Sequence, residues 1–250
     1  MESKADAGAQ PARMPENFAN TRWSIVAGMQ SENRGDARRS LVELCQAYWY
    51  PVFAYVRRCG HAPEIAYDLC QSFFEYLLEE LRHANPQEYG QFRAFLLARL
   101  NRFLAEDWRN ERAATSLPEV APNEPLLVME ERQKREHALG ATPERAFQRG
   151  FALEVLTRSL NRLRLEAQQG GRLPMFEQLE PYLTTEPEAG RYEILAQSLS
   201  TRALAVVVAI KRLRQRFREL VDEELQQTVA TDADMDAERG ALLAILGDST

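Results

Sequence analysis

The sequence predicts an all-α protein made of two small helical bundles joined by a flexible linker. Three observations lead there. Apolar residues recur at three- and four-residue spacing through nearly every patterned segment, and the alternation that marks strands is almost absent. Capping residues, prolines and a glycine pair fall at the ends of those runs. Between the two groups of runs, 113–125 carries Pro118, Pro122 and Pro125 with little periodicity, which is linker chemistry. A chain of 250 residues has room for two such units, each with its own core.

Taken in order, residues 1–17 read as a tail, and 18–29 as a short helix carrying Trp23, Ile25, Val26 and Met29. Asp36 can cap the next helix, where Leu44, Cys45, Tyr48, Trp49, Val52, Phe53 and Val56 recur at helical spacing. Pro51 falls inside that run and predicts a kink or a break, because it removes a hydrogen bond and crowds the preceding turn. Gly60 closes it. Pro63 opens a third helix with Ile65, Leu69, Phe73, Leu77 and Leu81 as its apolar seam, ending before Asn85-Pro86. A fourth helix over 91–112 mixes Phe92, Phe95, Phe103 and Trp108 with arginines. After the linker comes a charged stretch, 129–139, whose apolar face is too narrow to fold alone. Thr142-Pro143-Glu144 then gives a cap, an N1 proline and a first-turn acid. That helix stops at Gly170-Gly171. Short helices are predicted at 174–179 and 191–198, then a turn at Leu199-Ser200-Thr201, then a long helix over 202–225.

Composition narrows the function. With 45% hydrophobic and 27% charged residues the chain is neither collagen-like nor wholly disordered. No apolar run approaches the roughly 18–20 residues of a membrane span, and the polar, Ala-rich first 15 residues do not read as a secretory signal. Cys45, Cys59 and Cys70 form neither a C-x-x-C pair nor an even disulfide framework. The chain therefore reads as cytoplasmic, with reduced thiols. His61, His83 and His137 are scattered, Cys59-x-His61 lacks the further ligands a zinc site needs, and no phosphate-binding, nucleophile-elbow or zinc-protease motif occurs. Neither an enzyme, a metal nor a cofactor is expected.

The formal charge of −6 is uneven. Residues 222–250 carry eight acids and one base, while 202–218 carries six bases (Arg202, Lys211, Arg212, Arg214, Arg216, Arg218) and no acid. A short helix, a tight turn and a long helix ending in that basic cluster follow the helix-turn-helix plan, in which the second helix enters the major groove and cations hold phosphates. An alternating Arg-x-Arg run cannot lie on one helix face, so only some of these arginines can reach DNA together. The first half of that helix, Ala203-Leu-Ala-Val-Val-Val208, is apolar and ill-suited to hydrogen-bond readout. Earlier in the chain, Asp68, Gln71 and Glu75 form a polar stripe opposite an apolar seam, and the fourth helix sets Arg99, Arg102 and Arg109 beside aromatics, a mixture suited to single-stranded nucleic acid. Solvated faces and arginines snorkelling from an aromatic core explain each feature separately.

Together the runs LCQAYWYPVFAYVRR (44–58), DLCQSFFEYLL (68–78), FRAFLL (92–97) and IKRLRQRFREL (210–220) resemble bacterial extracytoplasmic-function sigma factors. The nearest subgroup has an N-terminal Thr-x-Trp-Ser, here Thr21-Arg22-Trp23-Ser24. The resemblance implies a region 2 over 18–112, a linker over 113–142, a helix-turn-helix region 4 over 143–226 and an acidic extension over 227–250. It implies that Asp68, Gln71 and Glu75 dock on core RNA polymerase, and that Arg99, Arg102, Trp108 and Arg109 capture the melted −10 promoter element. Arg202, Ala203, Val207, Lys211, Arg212, Arg214 and Arg216 would read the −35 element, the polymerase performing all catalysis. Promoter DNA and core polymerase are the implied partners, with a Ser/Thr kinase or an anti-sigma factor as controller. Four departures bear on this. Ala66-Tyr67 stand where acids are common, and Cys70 replaces a phosphorylatable threonine, so that a fixed charge at Cys70 is expected to raise activity. Ser200 replaces the turn glycine, and Val207 stands where a base is usual.

Overall fold

The computed structural model describes residues 34–83, 92–106, 125–137, 142–228 and 232–247, and among these the structure is helical with no strand. The helices are α1 (Arg34–Arg58), α2 (Pro63–His83), α3 (Phe92–Glu106), α4 (Leu126–His137), α5 (Pro143–Gln169), α6 (Leu173–Leu179), a 3-10 turn (Glu180–Leu183), α7 (Arg191–Ser198), α8 (Ala203–Gln226) and α9 (Asp232–Gly247). The expected helix at 18–29 and residues 107–112 of the fourth helix lie outside the described residues.

Local chemistry sets most of the boundaries. Gly60 ends α1 with a φ of +97°, which a side chain adopts only at a cost. The hydroxyl of Thr142 accepts from the backbone N–H of Arg145 at 3.3 Å, with Pro143 in the first turn, and so caps α5 as its sequence predicts. At the other end Arg172 N–H donates to the Ala167 carbonyl at 2.8 Å around a left-handed Gly171, a Schellman closure.

Three expectations change. α1 runs through Pro51 without interruption. Pro51 is buried, and a Cβ added at Gly150 of α5 would lie 3.1 Å from its Cα, so the side-chain-free surface of α5 lies close against the proline. Burial of the proline against α5 accompanies a helix that continues despite the missing hydrogen bond. Ile65 leaves the seam of α2 and is 48% exposed, because residues four apart drift about 40° per step on a 3.6-residue helix. The seam is completed instead by Ala66, Cys70 and Phe74 beside Leu69, Phe73, Leu77 and Leu81. The acidic extension is not only a tail, since 232–247 forms α9.

The largest core cluster draws on both sides of the expected linker. Tyr48, Phe53, Phe73, Leu77, Phe92 and Leu96 share it with Phe147, Phe151 and Val155 of α5, Leu225 of α8 and Leu242 of α9. Tyr48 stacks on Phe151 with centroids 5.8 Å apart. Within 113–142, α4 is docked rather than bare. Met129 is buried, Glu130 accepts two bonds from Arg57, and Arg132 pairs with Glu154 at 2.7 Å while covering the Tyr50 ring. α9 closes the same core through a buried pair, Arg93 of α3 with Glu238 at 2.6 Å. Two smaller clusters sit under α8: Leu179, Leu195, Ala196, Val206 and Ile210 toward its start, and Leu163, Phe176 and Leu220 toward its end.

Candidate nucleic-acid interface

α7 and α8 are separated by a four-residue turn, in the order the sequence predicts. The chain bends by 94° between them, within the range of a helix-turn-helix. The turn is a Schellman closure of α7. Thr201 N–H donates to the Ala196 carbonyl at 2.8 Å and Ser200 N–H to the Gln197 carbonyl at 3.1 Å. Ser200 occupies the left-handed position at φ +51°, where glycine is the unstrained choice. Leu195 and Ala196 from α7 and Val206 and Ile210 from α8 fill the angle between the helices, which fixes the outer face of α8 relative to the rest of the fold.

That outer face carries Leu204, Val207, Val208, Lys211, Arg212 and Arg218, all exposed, and Arg202 is exposed at its start. Ala203 is half-buried. The two arginines between them face elsewhere. Arg214 donates to the backbone carbonyls of Tyr182 and Thr185, each at 2.8 Å, and to Glu186. Arg216 reaches Glu166 of α5 through two bonds at 2.7 and 3.0 Å, and Glu219 and Glu223 of its own helix at 3.2 and 3.0 Å. Hydrogen bonds from Arg216 hold the Glu166 carboxyl below its ordinary range, against the opposing effect of desolvation. Glu223 is desolvated, but Arg162 and Arg216 still hold it low. Of the four arginines over 212–218, Arg214 and Arg216 staple α8 to the bundle, while Arg212 and Arg218 are exposed; Arg218 also bonds the Arg214 carbonyl at 3.2 Å.

On the other half of the molecule, Asp68 and Gln71 are exposed and Glu75 is half-buried on one face of α2, with Ile65 beside them. Desolvation raises the Glu75 carboxyl, and a hydrogen bond from Gln71 partly offsets it. Cys70 is on the opposite face, fully buried, where desolvation pushes its thiol well up. This overturns the expectation that a charge at Cys70 would help docking, because a carboxylate there would be sealed in the core. Ser72 is the nearest exposed hydroxyl on the helix. In α3, Arg99 pairs with Glu80 at 3.0 Å and lies 5.2 Å from the Phe95 ring centre, and Arg102 is exposed. Trp108 and Arg109 lie outside the described residues. What the sequence reading missed was the stapling of Arg214 and Arg216. Glu219 and Glu223 lie within reach of Arg216 on its own helix, but Glu166 and Glu186 come from α5 and the segment before α7, at positions no local pattern links to these arginines.

No protein-family model matches the chain, and searches among curated proteins and among solved structures likewise found no match.

Proposed function

We propose that this protein is a promoter-specificity factor of the extracytoplasmic-function sigma type. In this reading it binds core RNA polymerase through the Asp68–Gln71–Glu75 face of α2 and promoter DNA through the outer face of α8. The observation that carries the reading is the helix-turn-helix angle of 94° with exposed Arg202, Lys211, Arg212 and Arg218 along the second helix. Support also comes from the isolation of an acidic stripe with an exposed Ile65 on a helix whose other face is core. On this reading the protein performs no chemistry, acts in the cytoplasm where polymerase is, and answers to a kinase or an anti-sigma factor. The linker would thread the polymerase, which requires α1 and α5 to separate on assembly.

That requirement is what favours the alternative, a helix-turn-helix regulator acting without polymerase. The shared core of α1 and α5 suits a protein that stays closed. Co-purification with core polymerase followed by run-off transcription separates the two. For a sigma factor, polymerase is retained and initiation becomes promoter-specific, and the double change Asp68→Arg, Glu75→Arg abolishes both with an unchanged melting curve. Polymerase binding that survives the double change refutes the docking assignment, and no binding by the native chain refutes the sigma reading.

A further inference from the structure

The outer face of α8 is apolar where a reading helix meets base edges. Leu204 is 74% exposed, Val207 41% and Val208 40%, and all three lie in the first two turns. Nothing among the described residues covers them, and none can donate or accept a hydrogen bond. Lys211 and Arg212 follow on the same face, about 10 Å further along at 1.5 Å per residue. The major groove is roughly 12 Å wide, so the first two turns fit inside it while those cations reach the flanking phosphates. Each base pair shows the groove a distinct set of donors and acceptors, and a single apolar group, the C5-methyl of thymine. An exposed leucine and two exposed valines bounded by cations match that group and no other feature of a base edge. Had the patch been meant for another protein's apolar face, cations at both of its ends and no acid on the helix before Glu219 would favour an acidic partner.

We propose that α8 reads sequence by thymine methyl contacts from Leu204, Val207 and Val208, and that Lys211, Arg212 and Arg218 supply position and affinity without base discrimination. This rests on the helix-turn-helix reading and goes beyond it by naming what is recognised.

The test uses the full chain and a random 24-base-pair duplex library. Enriched duplexes are resynthesised with deoxyuridine in place of thymidine, which removes the methyl and leaves every hydrogen-bonding group. The expected result is enrichment of thymines in the recognised core and a loss of about fourfold in affinity per contacted methyl, or ~15-fold for two. The exposed substitutions Leu204→Ser and Val208→Ser should each shrink the gap between the two duplexes and leave the salt dependence unchanged. Enriched duplexes that bind equally well with deoxyuridine, or a gap that persists in both variants, overturn the methyl readout and leave the helix-turn-helix intact. Absence of salt-dependent binding, alone and with core polymerase added, overturns both.

Discussion

The ion pair between Arg93 and Glu238 joins residues 145 apart in sequence, and its removal should reveal how firmly α9 holds the two halves together. Arg93 is 7% exposed and Glu238 1%, their charged atoms lie 2.6 Å apart, and the guanidinium sits 5.2 Å from the Phe151 ring centre. Glu238 is the counter-charge of this buried guanidinium, and the Phe151 ring offsets only part of its desolvation. Glu238→Ala therefore leaves a guanidinium in an apolar setting with its main counter-charge gone, for which about 3–5 kcal/mol is typical. Against a total stability of about 5–15 kcal/mol, that is a loss of about a fifth at the least, and more in a less stable chain. The pair itself need not be a large net stabiliser, because desolvating both ions offsets most of their attraction. Arg93→Met combined with Glu238→Leu should therefore recover most of the loss. Urea titration of the native chain, Arg93→Met, Glu238→Leu and the double variant, followed by tryptophan fluorescence, to which the buried Trp49 contributes, gives the double-mutant cycle, with Glu238→Ala measured beside it. Glu238→Ala within 1 kcal/mol of the native chain, or a double variant as unstable as the single, would show that α9 is not clamped by this pair. Hydrogen exchange should place the earliest opening of Glu238→Ala at α9 and at the α1–α5 contact.

Four further outcomes are expected. Ser200→Gly should raise stability by about 1 kcal/mol, since a left-handed non-glycine residue costs roughly 1–2 kcal/mol and glycine's extra freedom in the unfolded chain returns part of it; thermal melting checks this, and a lowered midpoint refutes the strain. Cys70→Asp should destabilise the chain or leave it unfolded by circular dichroism, and alkylation of the native chain should modify Cys59 while Cys45, pushed up to about 12 by burial, and Cys70 stay protected. Because Glu166 and Glu223 are held below their ordinary value near 4.5, their contribution is complete above that value and is lost as the pH falls through the lower folded values. Glu166→Gln should therefore flatten the acid limb of a stability-versus-pH curve, and an unaltered limb would contradict the pairing with Arg216. Arg212→Ala should reduce the slope of log affinity against log salt by about one, whereas Arg214→Ala should leave the slope and lower the melting temperature; the reverse result would exchange their roles.

Element type and order were legible in the sequence because periodicity and capping are local. The Thr142-Pro143 start of α5, the Gly170-Gly171 stop and the bounds of α7 each depend on a few adjacent residues, and each is found where those residues put it. The short helix, tight turn and long helix of 191–226 were legible for the same reason, and Ser200, expected in place of a turn glycine, has a positive φ. The helix through Pro51 was not, because a missing hydrogen bond is visible in one segment while the packing that compensates comes from Gly150 in another. The acidic charge of 222–250 likewise hid α9, although Met235, Leu242 and Ile245 already had helical spacing for a core that only the folded chain supplies.

The candidate site divides in the same way. Alternation in the Arg-x-Arg run determined that the arginines must part company, since 100° per residue separates them around the helix. Which ones face outward was decided by tertiary structure, because the Glu166 carboxylate and the Tyr182 and Thr185 carbonyls are brought to α8 by α5, the 3-10 turn and the residues just after it. A sequence fixes the angular order of side chains on a helix, but the direction of the core depends on neighbours distant along the chain. The same cause separates Cys70 from Gln71: adjacent in sequence, they lie about 100° apart on α2, and the packing of α2 against the core seals one and leaves the other in water.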